Sequence, residues 1–377
     1  MDFELASDLV LLRDTIRRLV DERLIPVETQ DASGAPEAQR FESLQQQVRE
    51  MGLWHLDVPE DLGGPGLGLL GACVVEEQIA RTKAFPLRIR QLFGPFVPPA
   101  LHLASDEQRA RLLQPVLDGR RSVEIASGDL DVDRDDCGLA MSAARDGDRY
   151  VLRGVERYLS TGPAPDDVIV FAKTEGGVSC LLLDTRSAGV DLSPDAPTIM
   201  GGSLWSLRLD DVSVPIGNRL GEEGDGLAMA RRWVVSDRIR SYGARSIGIA
   251  ARALEMTASY AQQRATFGRP LARRNVIRMM IADSMTEIEM ARLLMYQAAS
   301  RFDRGVDVRD LSSMVKVAST EMATRVVDRA MQVHGGSGLT TELPLEHWFR
   351  QLRGARIAAG PSDALRSSLA SRLVGSA

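Results

Sequence analysis

The hydrophobic period of this chain changes twice, from helical to strand-like and back to helical, and that double switch constrains the fold more than any single residue does. Leu5, Leu9, Leu12, Ile16 and Leu19 make one apolar helical stripe that stops at Pro26. Helical spacing continues through "FESLQQQVREMGLWHL", breaks at "VPEDLGGPGLG" and resumes in "LLGACVVEEQIAR" and "SDEQRARLLQPVLDG", where Ser105 and Gln108 fit a capping box. The segments "DRYVLRGV", "DDVIVFAKT", "GVSCLLLD" and "LWSLRLDDVSV" are instead short and β-branched or alternating, with turn signals at Asp146-Gly147 and Gly176-Gly177. From Gly226 helical periodicity returns in long runs, to Gln263, over about 274 to 303 and about 309 to 334, followed by a shorter amphipathic piece. The expected fold class is α+β, mainly α: an N-terminal helical domain over 1–118, a middle antiparallel β domain over 119–225 and a C-terminal helical bundle over 226–377, its helix lengths suited to subunit packing.

Composition removes several function classes. The chain has 377 residues, 44% hydrophobic and 26% charged, and no apolar run approaches the roughly 20 residues of a membrane helix. Its first residues are acidic, the wrong start for a secretory signal, so a cytoplasmic location is expected. A net charge of -6 gives no general nucleic-acid footprint, although arginine far outnumbers lysine, which occurs only at Lys83, Lys173 and Lys316. Cys73, Cys137 and Cys180 lack CxxC spacing, and His55, His102, His334 and His347 lack ligand spacing, so neither a disulfide framework nor a metal site is implied.

Two glycine-rich stretches bear on binding. "GGPGLG" has a dinucleotide-like spacing but follows no strand of a βαβ unit, so it reads as a loop entering a helix. In "HGGSG", glycines 335, 336 and 338 let backbone N–H groups approach an anion closely. Together with "VPEDLGGPGLG", "GDRYVLRGVERYLSTG", "YAQQRATFGRPL" and "DRAMQVHGGSGLTTELPLEHWFRQLR", in that order along the chain, they make it resemble the acyl-CoA dehydrogenase family over essentially its whole length. The resemblance implies FAD as cofactor, its adenine and pyrophosphate part held by Arg264, Thr266, Phe267, Gly268, Gln332, Gly335 and Gly336 of a neighbouring subunit, and therefore an oligomer. An arginine fork on pyrophosphate oxygens and a phenylalanine over a ring face make independent chemical sense. Asn275 stands where the family usually has a glutamine. Around the flavin ring the resemblance carries over Tyr158, Ser160 and, with one residue of offset, Ser127. The loop after Ser127 departs from the family: Asp129, Asp131, Asp133, Asp135 and Asp136 make it acidic, a solvated surface loop or else an altered acyl pocket, a metal-like cluster, or a loss of ordinary substrate binding, since carboxylates facing the same cleft would repel the CoA phosphates.

The sharpest departure is Ala359. In the family the residue before this glycine is the Glu or Asp that takes a proton from the acyl α-carbon, and a methyl group accepts no proton. Three readings follow from the resemblance. The base comes from a long helix, at Asp237 beside the substrate-side Arg238; or the chain is the base-lacking subunit of a heteromeric dehydrogenase, sharing FAD with a related subunit, inactive alone and in the extreme a structural partner only; or the scaffold performs different flavin chemistry, such as that of a desulfinase or hydroxylase. The assembly implied is a homo- or hetero-tetramer with a related dehydrogenase subunit. The expected substrate is a CoA thioester, and the expected electron acceptor an electron-transfer flavoprotein or a substitute for it.

Overall fold

The structure, a computed structural model, describes residues 4–29, 37–56, 58–86, 89–126, 139–159 and 164–375. They group into two compact units, one made of 1–34, 68–86 and 235–377, the other of 35–67 and 87–234.

The first unit is helical. Its elements are α1 (Ser7–Leu19), then α3 (Gly68–Ile79), α7 (Arg245–Gln263), α8 (Asn275–Asp303), α9 (Arg309–His334), α10 (Leu345–Ala355) and α11 (Ser362–Val374). The last two long helices, α8 and α9, begin and end within a residue of where the apolar period starts and stops. α3 is buried on nearly every side, which explains its run of small and apolar residues: Ala72, Cys73, Val74 and Val75 are all buried, and Leu69 and Cys73 sit inside a core shared with Ile247, Ala250, Met295, Val315, Val327 and Trp348. Its N-terminus is capped from a distance, because Asp303 accepts from the backbone N–H of Leu69 at 2.6 Å and of Leu70 at 2.9 Å. Gly68 is required there; a Cβ on it would come within 2.9 Å of the Asp303 carboxylate, at a φ of +65°. The glycine-rich stretch is thus the loop entering a helix that its context implies. Buried charges are paired: Arg292 holds Glu77 at 3.0 Å, and Arg81 holds Glu255 at 2.8 Å.

The second unit carries α2 (Glu37–Glu50), the short α4 (Asp106–Gln108) and α5 (Gln114–Leu117), and a sheet of β1 (Val123–Ala126), β2 (Ser142–Asp146), β3 (Arg149–Leu159), β4 (Asp167–Thr174), β5 (Gly177–Asp184), β6 (Val190–Pro197), β7 (Ser203–Pro215) and β8 (Arg219–Leu220). The Ser105–Gln108 capping box is present in full. Strand order is β6-β7-β3-β2-β4-β5-β8, with β1 added against β4. An antiparallel sheet is only part of the answer, since β1 and β2 both pair with β4 in parallel. Strand direction depends on the connection between strands, and alternation within each strand does not record it. The edge strand β6 holds Pro194 and Pro197, which weaken its strand signal in the sequence and suit an edge. α6 (Gly226–Asp237) starts in this unit and ends in the first.

The expected three sequential domains differ from these two units in how the N-terminal helices divide. α1 and α3 belong to the bundle, whereas α2 packs with the turn Ile89–Phe93 in the unit that carries the sheet. A helical stripe shows that a face is buried but not which partner buries it. Among the described residues no helix is long and apolar enough to cross a membrane.

Candidate active site

Two places on the helical unit collect the residues singled out in the sequence. The first is an outward edge. α7 ends at Gln263, and a small hairpin of β9 (Ala265–Thr266) and β10 (Arg269–Pro270) follows, closed by the Leu271 N–H donating to the Arg264 carbonyl at 2.8 Å. The hairpin turns at Phe267 and Gly268, both with positive φ, and leaves the Phe267 ring 97% exposed. Arg274 braces it from behind, donating to the Thr266 carbonyl at 2.6 Å and hydroxyl at 2.9 Å, with its guanidinium 5.5 Å from the Phe267 ring centre. Arg264, at the stem, and Asn275, the first residue of α8, are both exposed.

The end of α9 supplies the other half of this edge. Gln332, Gly335 and Gly336 are exposed, and Gly335 has φ +61° and ψ -134°, a conformation that in practice only glycine adopts. A Cβ at either glycine would meet nothing within 4 Å, so the turn is an open backbone surface and fits the approach of a phosphate group. Arg264, Phe267 and this turn together match the donor set for the pyrophosphate and a ring of FAD.

The second place is the loop 356–360. Ala359 is half-buried with φ +52°, a left-handed conformation uncommon for alanine, and Gly360 follows at φ +99°. Buried cations hold the loop by its carbonyls: Arg238, 3% exposed, donates from Nε to the Ala359 carbonyl at 2.9 Å and from Nη1 to Ser313 Oγ at 3.2 Å. Lys316, fully buried, donates from Nζ to the carbonyls of Arg356 at 3.0 Å and Gly360 at 2.7 Å. Burial, reinforced by Arg238, lowers the Lys316 ammonium to a pKa of about 8. Asp237, half-buried at the end of α6, accepts a hydrogen bond from the Ser241 hydroxyl, and the next residues, Arg238–Ala244, wind as a π-helix, a form common at functional sites. Asp237 and Ala359 are therefore both attached to the same buried arginine, one through the chain and one through a hydrogen bond.

Of the remaining candidates, Tyr158 lies on β3 at a register shift, with φ +63° and an exposed ring that stacks under Arg157 at 4.9 Å. Ser127, Ser160 and the aspartates at 129, 131, 133, 135 and 136 lie outside the described residues. Three residues before Ser127, burial pushes the Glu124 carboxyl up to about 7, against only a partial offset from Arg90. Sequence reasoning missed Lys316 and Arg274. Lys316 had a signal, as one of only three lysines in an arginine-rich chain; Arg274 had none, because its target lies across a turn.

Two family models match this chain: "Acyl-CoA dehydrogenase, N-terminal domain" over residues 7–120 and "Acyl-CoA dehydrogenase, C-terminal domain" over 224–374. The chain is 30% identical to (R)-benzylsuccinyl-CoA dehydrogenase of Thauera aromatica, covering 99% of this chain and 97% of that one. It is 31% identical to cyclohexane-1-carbonyl-CoA dehydrogenase of Geobacter metallireducens, over 99% of both. The solved butyryl-CoA dehydrogenase of Megasphaera elsdenii superposes with a TM-score of 0.82 at 25% identity, covering 99% of this chain and 100% of that one.

Proposed function

This chain belongs to the acyl-CoA dehydrogenase family, and from that premise we propose that it is an FAD-dependent dehydrogenase of a CoA thioester in which Asp237 provides the base that Ala359 lacks. The observation that carries the base assignment is the 2.9 Å bond from Arg238 to the Ala359 carbonyl, which ties the residue next to Asp237 to the loop where the carboxylate is missing. Arg264, Thr266, Phe267, Gly268, Gln332, Gly335 and Gly336, with Asn275, would hold the adenine and pyrophosphate part of FAD for a neighbouring subunit, and the flavin would supply the acceptor for the hydride that leaves the acyl β-carbon. The protein's own task is to orient the thioester and take the α-proton onto an Asp237 oxygen. Ser241 fixes that carboxylate by donating to Oδ1. Replacing a glutamate by an alanine at 359 also vacates side-chain volume beside the loop. This favours a bulky acyl group, in keeping with the ring-bearing substrates named for the two relatives.

The apolar residues exposed on the helical unit support an oligomer. Phe267, Met279, Met290 and Leu339 are all more than half exposed, a poor arrangement for a free surface and a suitable one for a neighbouring subunit. By the family likeness, Tyr158, Ser127 and Ser160 are the residues assigned to the flavin ring. Electrons leave for an electron-transfer flavoprotein or a comparable acceptor. The test is the visible spectrum of the purified protein during anaerobic titration with short, branched and ring-bearing acyl-CoAs. Bleaching of bound flavin by one of them is expected. A flavin that no thioester bleaches, yet that is reoxidised by oxygen with hydroxylation of another substrate, contradicts the proposal.

A further inference from the structure

The two halves of the outward edge come from chain segments about 70 residues apart, and each is mounted on the C-terminal end of a helix, where carbonyls lose their partners and ends fray. A grip on one dinucleotide requires both ends to hold a fixed separation. At the point where they meet, the Tyr260 and His334 rings stack with centroids 4.4 Å apart and planes inclined by 24°. Tyr260 is one turn from the hairpin, and its carbonyl accepts from the Arg264 N–H at 2.8 Å. His334 is the last residue of α9, immediately before Gly335, and is 5% exposed. Its ring cannot swivel freely, because Nδ1 lies 2.8 Å from the Ala330 carbonyl and must carry the proton to bond it. Burial lowers the pKa of His334, so the ring presents a neutral face to the phenol.

We propose that the Tyr260–His334 stack is the positioning joint that sets the spacing between the Arg264 hairpin and the Gly335–Gly336 turn, so that both engage the adenosine diphosphate half of one cofactor. This rests on the FAD reading above. Both act through the segments they hold, as positioning residues. Simple space-filling would be met by any apolar side chain of similar size, whereas the joint requires two stacked planes.

The experiment strips flavin from the assembled protein and measures Kd for FAD and for ADP, together with Tm, in the wild type, Tyr260→Phe, Tyr260→Leu and Arg264→Ala. Tyr260→Phe keeps the stack and is expected to bind both ligands within about twofold of the wild type. Tyr260→Leu fills the space without a ring, and should weaken both about tenfold while Tm moves by only a few degrees. If Tyr260→Leu does not fold, His334→Leu carries the same expectation. Equal ADP affinity in the Leu and Phe variants overturns the joint. If Arg264→Ala loses ADP while Tyr260→Leu keeps it, the joint falls and the cofactor reading stands. If the wild type itself binds neither FAD nor ADP, the cofactor reading fails and the joint falls with it.

Discussion

The outward edge and the Ala359 loop are opposites. At the edge, the main groups proposed for the cofactor are present and exposed: an arginine, a phenylalanine ring and an open glycine turn. At the loop the one side chain that the chemistry asks for is absent, yet its backbone mounting is complete, with three carbonyls held by two buried cations and residue 359 kept left-handed. A buried ammonium and a left-handed alanine both cost stability. On the proposed reading, the loop keeps this mounting although residue 359 itself supplies no base.

If the mounting is intact, it should accept a base again. In an Asp237→Asn background, Ala359→Glu is expected to raise the rate of flavin reduction by an acyl-CoA on the order of 10², and Ala359→Gln to leave it unchanged. Stopped-flow bleaching separates the two, and equal rates would mean that the loop no longer presents residue 359 to the substrate.

The next effect concerns the clamp. Lys316→Met leaves the carbonyls of Arg356 and Gly360 without their buried donor, which should cost about 1–3 kcal/mol in denaturant unfolding at pH 7. The pH dependence has a definite sign. The folded pKa of about 8 lies below the ordinary lysine value of 10.5, so between these pH values the unfolded chain binds the extra proton and wild-type stability rises with pH. That rise is bounded at about 3 kcal/mol and should be missing in Lys316→Met. A wild-type profile that is flat or falling across this window, relative to the variant, would remove the buried ammonium from the account.

At the edge, the brace is less costly to lose. Arg274→Ala removes two hydrogen bonds to Thr266 and should lower stability by only about 1 kcal/mol, while hydrogen exchange over residues 264–271 accelerates. The smallest effect returns to the loop: Ala359→Gly relieves the positive φ and should stabilise the protein by less than about 1 kcal/mol. A destabilisation instead would show that the alanine methyl makes contacts that outweigh its strain.

The comparison also separates what could be read in the sequence from what could not. The bundle helices were legible almost to the residue, because one apolar stripe runs the length of α8 and α9. The hairpin stretch at 264–268 and the glycine turn at 335–336 were legible as well, being short and contiguous. The mounting was not. Lys316, Arg238 and loop 356–360 lie 40 to 120 residues apart, and nothing in their spacing shows that cations on two helices meet the carbonyls of a third segment. β6 and the parallel pairing of β1 were hidden for a similar reason: two prolines masked the one, and the direction of the other depends on a connection.

The central claim is that Asp237 does the work residue 359 has lost. Its most direct test is the rate of anaerobic flavin bleaching by the best acyl-CoA of the panel, compared between the wild type and Asp237→Asn at equal flavin content. The account predicts that the variant binds the thioester with similar affinity but bleaches on the order of 10² to 10⁴ times more slowly. Bleaching at the wild-type rate in Asp237→Asn would contradict it, and would place the base outside this aspartate.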